Sequence, residues 1–160
     1  MRCYLKILCM RNELFKQGRR MTVIVSEQQR SYIMSRVGSK NTKPELVVRS
    51  YLHRRGFRYR IHGEKLPGRP DLVFAKHKTV VFVHGCFWHR HDGCSRATMP
   101  STRVEFWRNK FERNMARDQA NQTELRKLGW RVVVLWECEI GTIAARDESL
   151  ERLATTIAKP

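Results

Sequence analysis

Acidic side chains are scarce in this chain. Its 160 residues include only 15 Asp and Glu against 32 Lys and Arg, which gives a formal net charge of +17 at pH 7. An excess of this size indicates a polyanionic partner, and nucleic acid is the first choice. An anionic membrane surface would call for a long amphipathic basic helix, and the sequence has none.

Long apolar runs are also missing. No stretch approaches the roughly 20 residues that a membrane-spanning helix requires, so we expect no membrane partner. Internal repeats and low-complexity segments are absent as well. The length of 160 residues and the hydrophobic fraction of 41% suit one globular domain with a modest core.

The cysteines do not form the even set that a disulfide scaffold needs. Residues 1–20 do not make an export signal either, because charges interrupt the apolar residues and no small-residue cleavage site follows. We therefore expect a cytoplasmic protein with reduced thiols. The five cysteines are Cys3, Cys9, Cys86, Cys94 and Cys138.

Residues 1–20 also have no helix caps and no clean hydrophobic period, and the sequence from Met21 onward resembles the beginning of a protein chain. We interpret this segment as a tail or as a mis-assigned start, and residues 21–160 as a single domain. Its six basic residues and one acid carry a net charge of +5, so the remainder keeps about 12 positive charges.

Capping boxes predict two helices early in the chain. Ser26 with Gln29 would open a helix that ends near Arg36, and Thr42 with Glu45 would open a helix that ends at Gly56. We expect four residues of the second helix to point inward: Leu46, Val47, Tyr51 and Leu52.

A third capping box, Thr102 with Glu105, predicts a long helix that runs to about Leu128 and stops at Gly129. A last helix is expected at residues 148–158. The core residues expected on the long helix are Phe106, Phe111, Met115, Leu125 and Leu128.

Strand signals alternate with these helices. Phe57, Tyr59 and Ile61 alternate with polar residues, and residues 66–70 form a turn rich in proline and glycine. Residues 71–75 and 79–84 are β-prone and predict a hairpin, whereas residues 130–137 form an apolar run typical of a strand buried on both faces. The order α-α-β-β-β-α-β-α predicts an α/β fold, in which a mixed sheet is flanked by helices. We place Trp130 and Trp136 in its core.

The loop HGCFWHRHDGC, residues 84–94, crowds sulfur and imidazole ligands together. Such ligands favour a transition metal, most often zinc, which takes four of them in a tetrahedron. The chain offers five, so one is surplus; the alternative is that the cysteines are small buried hydrophobic residues. The candidates are Cys86, His89, His91, Cys94 and Cys138.

Asp71 is a candidate for metal-dependent acid–base chemistry. If residues 71–75 and 79–84 pair as a hairpin, Asp71 lies at the same end of the sheet as His84 and His89. A carboxylate there can hold Mg²⁺ while an imidazole moves protons, and Glu45 could join from the helix before it. Taken alone, Asp71 would be an ordinary turn residue.

Large aromatic residues supply the third signal. Phe87 and Trp88 lie in the candidate metal loop, where a core role is awkward, and Trp107 lies near the start of the long helix. Apolar side chains of this size can wedge between base steps of a duplex. For Trp107, a core position and a wedge remain equal alternatives.

Four blocks of the sequence, LPGRPDLVF, VFVHGCFWHRH, TRVEFW and LGWRVVVLWEC, resemble the very short patch repair endonucleases, over roughly residues 26–157. That family belongs to the restriction-endonuclease-like superfamily, so the resemblance implies this fold around the mixed sheet, with a structural zinc site. The superfamily pairs a PD with a later acid-x-Lys. Here Pro70-Asp71 supplies the PD, but Phe82-Val83-His84 stands where the acid-x-Lys would be. The family shows the same substitution, with histidine in place of lysine.

The resemblance also implies roles. Asp71 and the backbone carbonyl of Val83 would bind Mg²⁺, although the family often has threonine at position 83. His89 would be the acid–base histidine, and His84 and Glu45 would support it. Structural Zn²⁺ would be bound by Cys86, His91, Cys94 and Cys138. The Asp92-Gly93 spacer before Cys94 is slightly longer than the corresponding gap in some members. Phe87, Trp88, Trp107 and, less strongly, Met34 would enter the DNA.

The implied substrate is double-stranded DNA with a T·G mismatch left by deamination of 5-methylcytosine. The implied reaction is a nick of one strand 5′ of the thymine by a monomer, with mismatch-repair proteins as candidate partners. Two alternatives stay open: a non-catalytic, zinc-stabilised DNA-binding module, and a related nuclease that cuts matched sites.

Overall fold

The computed structural model describes residues 40–159 together with Ser26, Gln28, Gln29, Tyr32 and Gly38. The chain divides into two units, Met1–Gly38 and Ser39–Pro160. In the first unit, Ser26 N donates to Gln29 Oε1 at 3.1 Å and Gln29 N donates to Ser26 Oγ at 3.2 Å. These bonds confirm the first capping box. Met34 and the proposed tail, residues 1–20, lie outside the described residues.

The elements of the second unit follow the predicted order, apart from one short helix, Cys86–His89, in the segment that was predicted as a loop. They are α1 (Lys43–Arg54), β1 (Arg60–Ile61), β2 (Leu72–Phe74), β3 (Thr79–His84), α2 (Cys86–His89), α3 (Val104–Lys127), β4 (Arg131–Trp136) and α4 (Ile143–Ala158), with 3₁₀ turns at Ala75–His77 and Glu137–Ile140. None of these helices has both the length and the apolar character that crossing a bilayer requires.

The four strands form one mixed sheet in the order β1-β2-β3-β4. β1 and β2 are antiparallel, as are β2 and β3, whereas β3 and β4 are parallel. The predicted hairpin and mixed sheet are therefore confirmed. Parallel neighbours need a long crossover, and here it carries α2 and α3.

Both faces of the sheet are covered by helices. Leu72, Phe74 and Val81 point to one face, where they pack with α1 and α4. Val80 and Phe82 point to the other, where they pack with Leu125 of α3. Alternation along β4 follows the same rule, so the strand has apolar contacts on both faces. It was expected to be buried on both faces, but only Leu135 is buried and its other residues are half-buried. Trp130 and Trp136, expected in the core, are only half-buried.

Helix α1 has the predicted cap but a different inner face. The capping box between Thr42 and Glu45 is confirmed. Leu46 and Val47 were wrongly placed inside; both are exposed. The buried face instead runs at helical spacing through Glu45, Val48, Arg49 and Leu52. The prediction failed because it counted only apolar residues, whereas the buried Glu45 and Arg49 are paired with each other.

Helix α3 also departs from the prediction. Its N-cap is Arg103 in the left-handed region, at φ 54°, with no side-chain cap, and Glu105 accepts from Arg108 instead. The capping box at Thr102 is therefore wrong. Phe111 and Leu125 are buried as predicted, but three residues expected in the core are exposed, namely Phe106, Met115 and Leu128. Phe111 and Leu125 are 14 residues apart, about four helical turns, and so share one narrow buried face of α3.

The remaining boundaries differ modestly. Ile61 was expected to alternate inward but is half-exposed, because β1 is a two-residue edge strand and the chain turns at His62, φ 49°. The last helix begins five residues earlier than predicted. Thr142 caps it, since its hydroxyl accepts from Ala145 N.

The inner face of α3 gives a stability prediction with a matched control. Leu125→Ala should lower the free energy of unfolding by about 2–5 kcal/mol, because it empties a fully buried site. Leu128→Ala removes the same atoms from a side chain that is 53% exposed and should cost about 0.5 kcal/mol or less. Urea unfolding of both variants checks this, and equal losses would contradict the assigned face.

Candidate active site and metal centre

Asp71 and His84 lie at the same end of the sheet, as the hairpin predicted. Asp71 comes directly before β2 and His84 ends β3, and these strands are antiparallel. The Asp71 carboxylate is fixed there, because its Oδ2 accepts a hydrogen bond from Val83 N at 2.8 Å. The two residues expected at magnesium are thus in direct contact.

The environment of Asp71 disfavours its charged form. Burial raises the pKa of the Asp71 carboxyl group, and the nearby Glu45 carboxylate raises it further. The hydrogen bond from Val83, together with Arg49 and His62, acts in the opposite direction. A half-buried carboxylate beside a second, buried acid is a place where a cation would be stabilised.

Glu45 is buried, and both oxygens of its carboxylate accept hydrogen bonds. Its Oε1 accepts from Thr42 N at 3.3 Å and from Thr42 Oγ1 at 2.8 Å. Its Oε2 accepts from Asn41 N at 3.0 Å and from an Arg49 guanidinium nitrogen at 2.7 Å. The helix cap and the ion pair therefore hold Glu45 in place next to Asp71.

His62 joins this group, and the sequence analysis missed it. Ligand atoms of Glu45, His62 and Asp71 all lie within 4.8 Å of one another. Ile61 pairs with Leu72 in the β1–β2 ladder, and the next pair brings His62 N to Asp71 O at 3.2 Å. The signal was available: a hairpin between residues 57–61 and 71–75 would have placed His62 opposite Asp71.

A second group contains two of the predicted histidines. The rings of His84 and His89 stack, with centroids 3.8 Å apart and planes 12° from parallel. His89 Nδ1 lies 2.5 Å from Asp118 Oδ2. Because an ionised carboxylate only accepts, this contact keeps the proton on Nδ1 and leaves the lone pair on Nε2. His89 is therefore oriented as a base.

The partner histidine is held neutral. Burial lowers the pKa of His84 to about 4, and the positive field of His89 contributes in the same direction. Asp118 opposes the shift. At neutral pH His84 is therefore uncharged.

Asp118 was not predicted, although the sequence carried a signal for it. It lies seven residues after Phe111 and seven before Leu125, so all three share one face of α3. An acid on the inward face of a helix needs a partner. His89 is that partner.

The thiols form a third group. Ligand atoms of the buried Cys86 and the half-buried His91, Cys94 and Cys138 lie within 4.8 Å of one another. His91 Nδ1 is 3.7 Å from Cys86 Sγ and 3.2 Å from Cys138 Sγ. Neighbouring S and N ligands of a tetrahedral zinc are about 3.5 Å apart, so the group has the dimensions of such a site.

Local backbone geometry separates the neighbouring histidines. Helix α2 ends at His89, and Arg90 takes the left-handed conformation, φ 54°. The chain therefore reverses between His89, which contacts Asp118, and His91, which contacts the thiols. This division resolves the surplus of five candidate ligands. His91 also stacks on Trp136, with centroids 4.2 Å apart.

The thiol group joins the loop to the sheet. Cys138 follows β4, and Cys86 N donates to Glu137 Oε1 at 3.1 Å. Burial raises the pKa of the Cys86 thiol to about 12 and also raises that of Cys138. A metal ion there would have to displace these protons, because thiolates are the ligand form.

The predicted wedge residues form a half-buried cluster. Phe87 contacts Trp88 at 5.0 Å and Trp107 at 5.5 Å between ring centroids, and Trp88 lies 6.0 Å from Trp107. Phe111 anchors the cluster from below, 5.1 Å from Phe87.

Two further residues of this cluster were missed as functional candidates. Phe106, expected in the core, is exposed and packs on Trp107 at 5.5 Å. Lys110 Nζ lies 5.2 Å from the Trp88 ring and 5.4 Å from the Trp107 ring. A cation over half-buried aromatic rings gives the cluster both stacking surfaces and positive charge.

Known proteins resemble this chain over most of its length. The sequence profile of the family described as DNA mismatch endonuclease Vsr matches residues 22–96. A protein from Xanthomonas oryzae pv. oryzae named type II nicking enzyme V.XorIIP is 47% identical over 83% of this chain and 97% of its own length. Type II nicking enzyme V.NmeAIP from Neisseria meningitidis serogroup A is 45% identical, over 86% of this chain and 97% of its own.

The DNA mismatch endonuclease Vsr of Escherichia coli K12 is 41% identical, over 78% of this chain and 80% of its own length. The chain therefore belongs to the Vsr family of DNA endonucleases.

Proposed function

We propose that this protein nicks one strand of duplex DNA 5′ of the thymine in a T·G mismatch, within a restriction-endonuclease-like fold. The observation that carries the proposal is the placement, at one end of β3, of a half-buried carboxylate held by Val83 N and of a histidine that stacks on His84 and is oriented by Asp118. Two relatives named nicking enzymes and one named a mismatch endonuclease support it.

The first step is binding of the phosphate backbone. The net charge of +17 attracts any duplex, and contacts from Lys and Arg hold it without reading its sequence. The aromatic cluster would then supply the preference for a mismatch. A wobble pair is already destabilised, so inserting Phe87, Trp88 and Trp107 beside it costs less than in a matched duplex.

The donors at Asp71 fit magnesium. A carboxylate oxygen and the Val83 backbone carbonyl are the hard oxygen ligands that Mg²⁺ prefers. When bound, Mg²⁺ supplies charge neutralisation at the scissile phosphate. The chain's own part is to hold the Asp71 carboxylate fixed through Val83 N and to keep Glu45 beside it.

His89 would remove the proton from the attacking water. Its Nε2 carries the lone pair because Asp118 holds the proton on Nδ1. The Asp118 carboxylate then stabilises the imidazolium that forms, as the third member of such a relay. His84 keeps the ring of His89 in position and stays neutral, so it adds no repulsion to that charge.

The thiol group would hold a structural zinc. Three sulfurs and one imidazole fit a closed tetrahedral site, with no place for a substrate ligand. Through Cys138 and Cys86 it would tie the end of β4 to α2. That tie fixes both His89 and the wedge residues, which lie in the same loop.

One zinc ion per chain is expected. Cys138→Ala should lose the ion and lower the free energy of unfolding by about 4 kcal/mol or more, because binding and folding are coupled. Elemental analysis and thermal unfolding check this. His89→Ala is the control and should keep its zinc. Fully active protein that contains no zinc would contradict the zinc site. If His91→Ala keeps zinc while His89→Ala loses it, the roles of the two histidines are reversed.

Catalytic variants should separate cutting from binding. Asp71→Ala should abolish nicking, and His89→Ala and Asp118→Asn should slow it by about 10²–10⁴-fold, the usual worth of a general base. Affinity for the T·G duplex and zinc content should be unchanged. Asp92→Asn, an exposed acid in the same loop, is the control and should nick normally. Single-turnover nicking under Mg²⁺ measures this, and retained cutting by Asp71→Ala would contradict the metal role.

The wedge residues should contribute mainly to activity on mismatched DNA. Trp88→Ala should lower activity on a T·G duplex by about 1–3 kcal/mol, the value of one stacking contact, and should weaken binding to matched DNA much less. Trp130→Ala is the control, because Trp130 packs on the core away from the cluster. This variant should have lower stability but keep the preference for the T·G duplex. Equal losses on both duplexes for Trp88→Ala would show that the ring only packs the loop.

A further inference from the structure

The histidine beside Asp71 has no part in the function proposed above. His62 is half-buried, and its backbone is held opposite Asp71 by the bond from His62 N to Asp71 O. The following pair, Gly63 N to Pro70 O at 2.9 Å, extends the same ladder. Backbone pairing thus continues past the end of β1 and before the start of β2, through His62 with Asp71 and Gly63 with Pro70. This pairing keeps the His62 imidazole near the Asp71 carboxylate.

Glu45 is a poor candidate for binding a metal ion there. A carboxylate offers about four lone-pair positions. In Glu45 these accept four hydrogen bonds: two from Thr42, one from Asn41 and one from Arg49. Coordination by Glu45 would break the helix cap or the buried ion pair.

Asp71 and His62 have ligand atoms to spare. Asp71 Oδ2 accepts from Val83 N, whereas Oδ1 accepts no hydrogen bond from the described residues. The His62 ring nitrogens make no hydrogen bond or ion pair within that part of the chain either. Two ligands of one divalent ion lie about 3–4.4 Å apart, and the atoms of this group lie within 4.8 Å.

We propose that His62 binds the divalent ion at Asp71 directly through a ring nitrogen, and that Glu45 contributes charge without coordination. This inference rests on the metal role assigned to Asp71 in the proposed function. The ligands from the side chains are then one carboxylate oxygen and one imidazole nitrogen. Imidazole suits Mn²⁺ and Co²⁺ better than Mg²⁺, so the site should favour them more than an all-oxygen site would.

Charge at the site agrees with a neutral second ligand. Asp71 and Glu45 carry two negative charges, and the buried Arg49 guanidinium beside them carries one positive charge. A divalent ion held by Asp71 and a neutral imidazole would leave the group with one net positive charge. The ion could then attract a DNA phosphate.

Nitrogen coordination can be read without DNA. With zinc loaded and Mn²⁺ added to the full-length protein, electron spin-echo envelope modulation should show ¹⁴N coupling from one imidazole. His62→Ala should remove that coupling and weaken Mn²⁺ binding in calorimetry by about 10–100-fold, with a smaller effect on Mg²⁺. His62→Asn, which tolerates the left-handed backbone at φ 49°, should do the same and covers the case in which the alanine variant fails to fold.

Three controls identify the site. His53→Ala, an exposed histidine on α1, should change neither signal nor affinity. His89→Ala should keep the coupling, because its group binds elsewhere. Asp71→Asn should lose Mn²⁺ at this site. Coupling that survives in both His62 variants, or that disappears in His89→Ala, would overturn the proposal.

These readouts do not depend on nicking. If the protein cuts no T·G duplex yet shows the coupling lost in His62→Ala, the proposed function fails and the His62 ligand stands. If it cuts and the coupling is unaffected, the opposite holds.

Discussion

Pairing of β3 along both of its edges is the constraint on which the chemistry depends. It is antiparallel to β2 and parallel to β4 in fixed register, so its last residues cannot move independently. Antiparallel pairing brings Asp71 to Val83, and parallel pairing brings Cys138 to the loop that follows His84. Three groups of side chains are therefore held at one end of one strand, although they come from distant parts of the sequence.

Neighbouring histidines obtain different chemistry from their surroundings. His84 is buried and held neutral, His89 is oriented by Asp118, and His91 faces three sulfurs and Trp136. The division depends on one short turn, because the left-handed backbone at Arg90 separates the last two. An imidazole on a carboxylate, an imidazole among thiols and a pair of aromatic rings thus lie within the eleven residues 84–94.

The sheet and the site's main residues could be predicted because local patterns specify them. The hairpin from residue 71 to 84 and the apolar run of β4 gave the sheet, and the crowded ligands of the loop gave the metal group. Helix faces were predicted less well, since Leu46 and Phe106 are exposed while the polar Glu45 and Asp118 point inward. His62 and Asp118 were missed because each is brought to its partner, Asp71 or His89, only by tertiary pairing.

The central claim is that one end of β3 cuts DNA at a mismatch. The most direct measurement is single-turnover nicking, with Mg²⁺, of two end-labelled duplexes that differ only in a T·G or a matched T·A pair, within varied flanking sequence. The account predicts one cut, 5′ of the mismatched thymine, and little cutting of the matched duplex. Equal cutting of both would contradict mismatch recognition, and no cutting at any Mg²⁺ concentration would contradict the endonuclease itself.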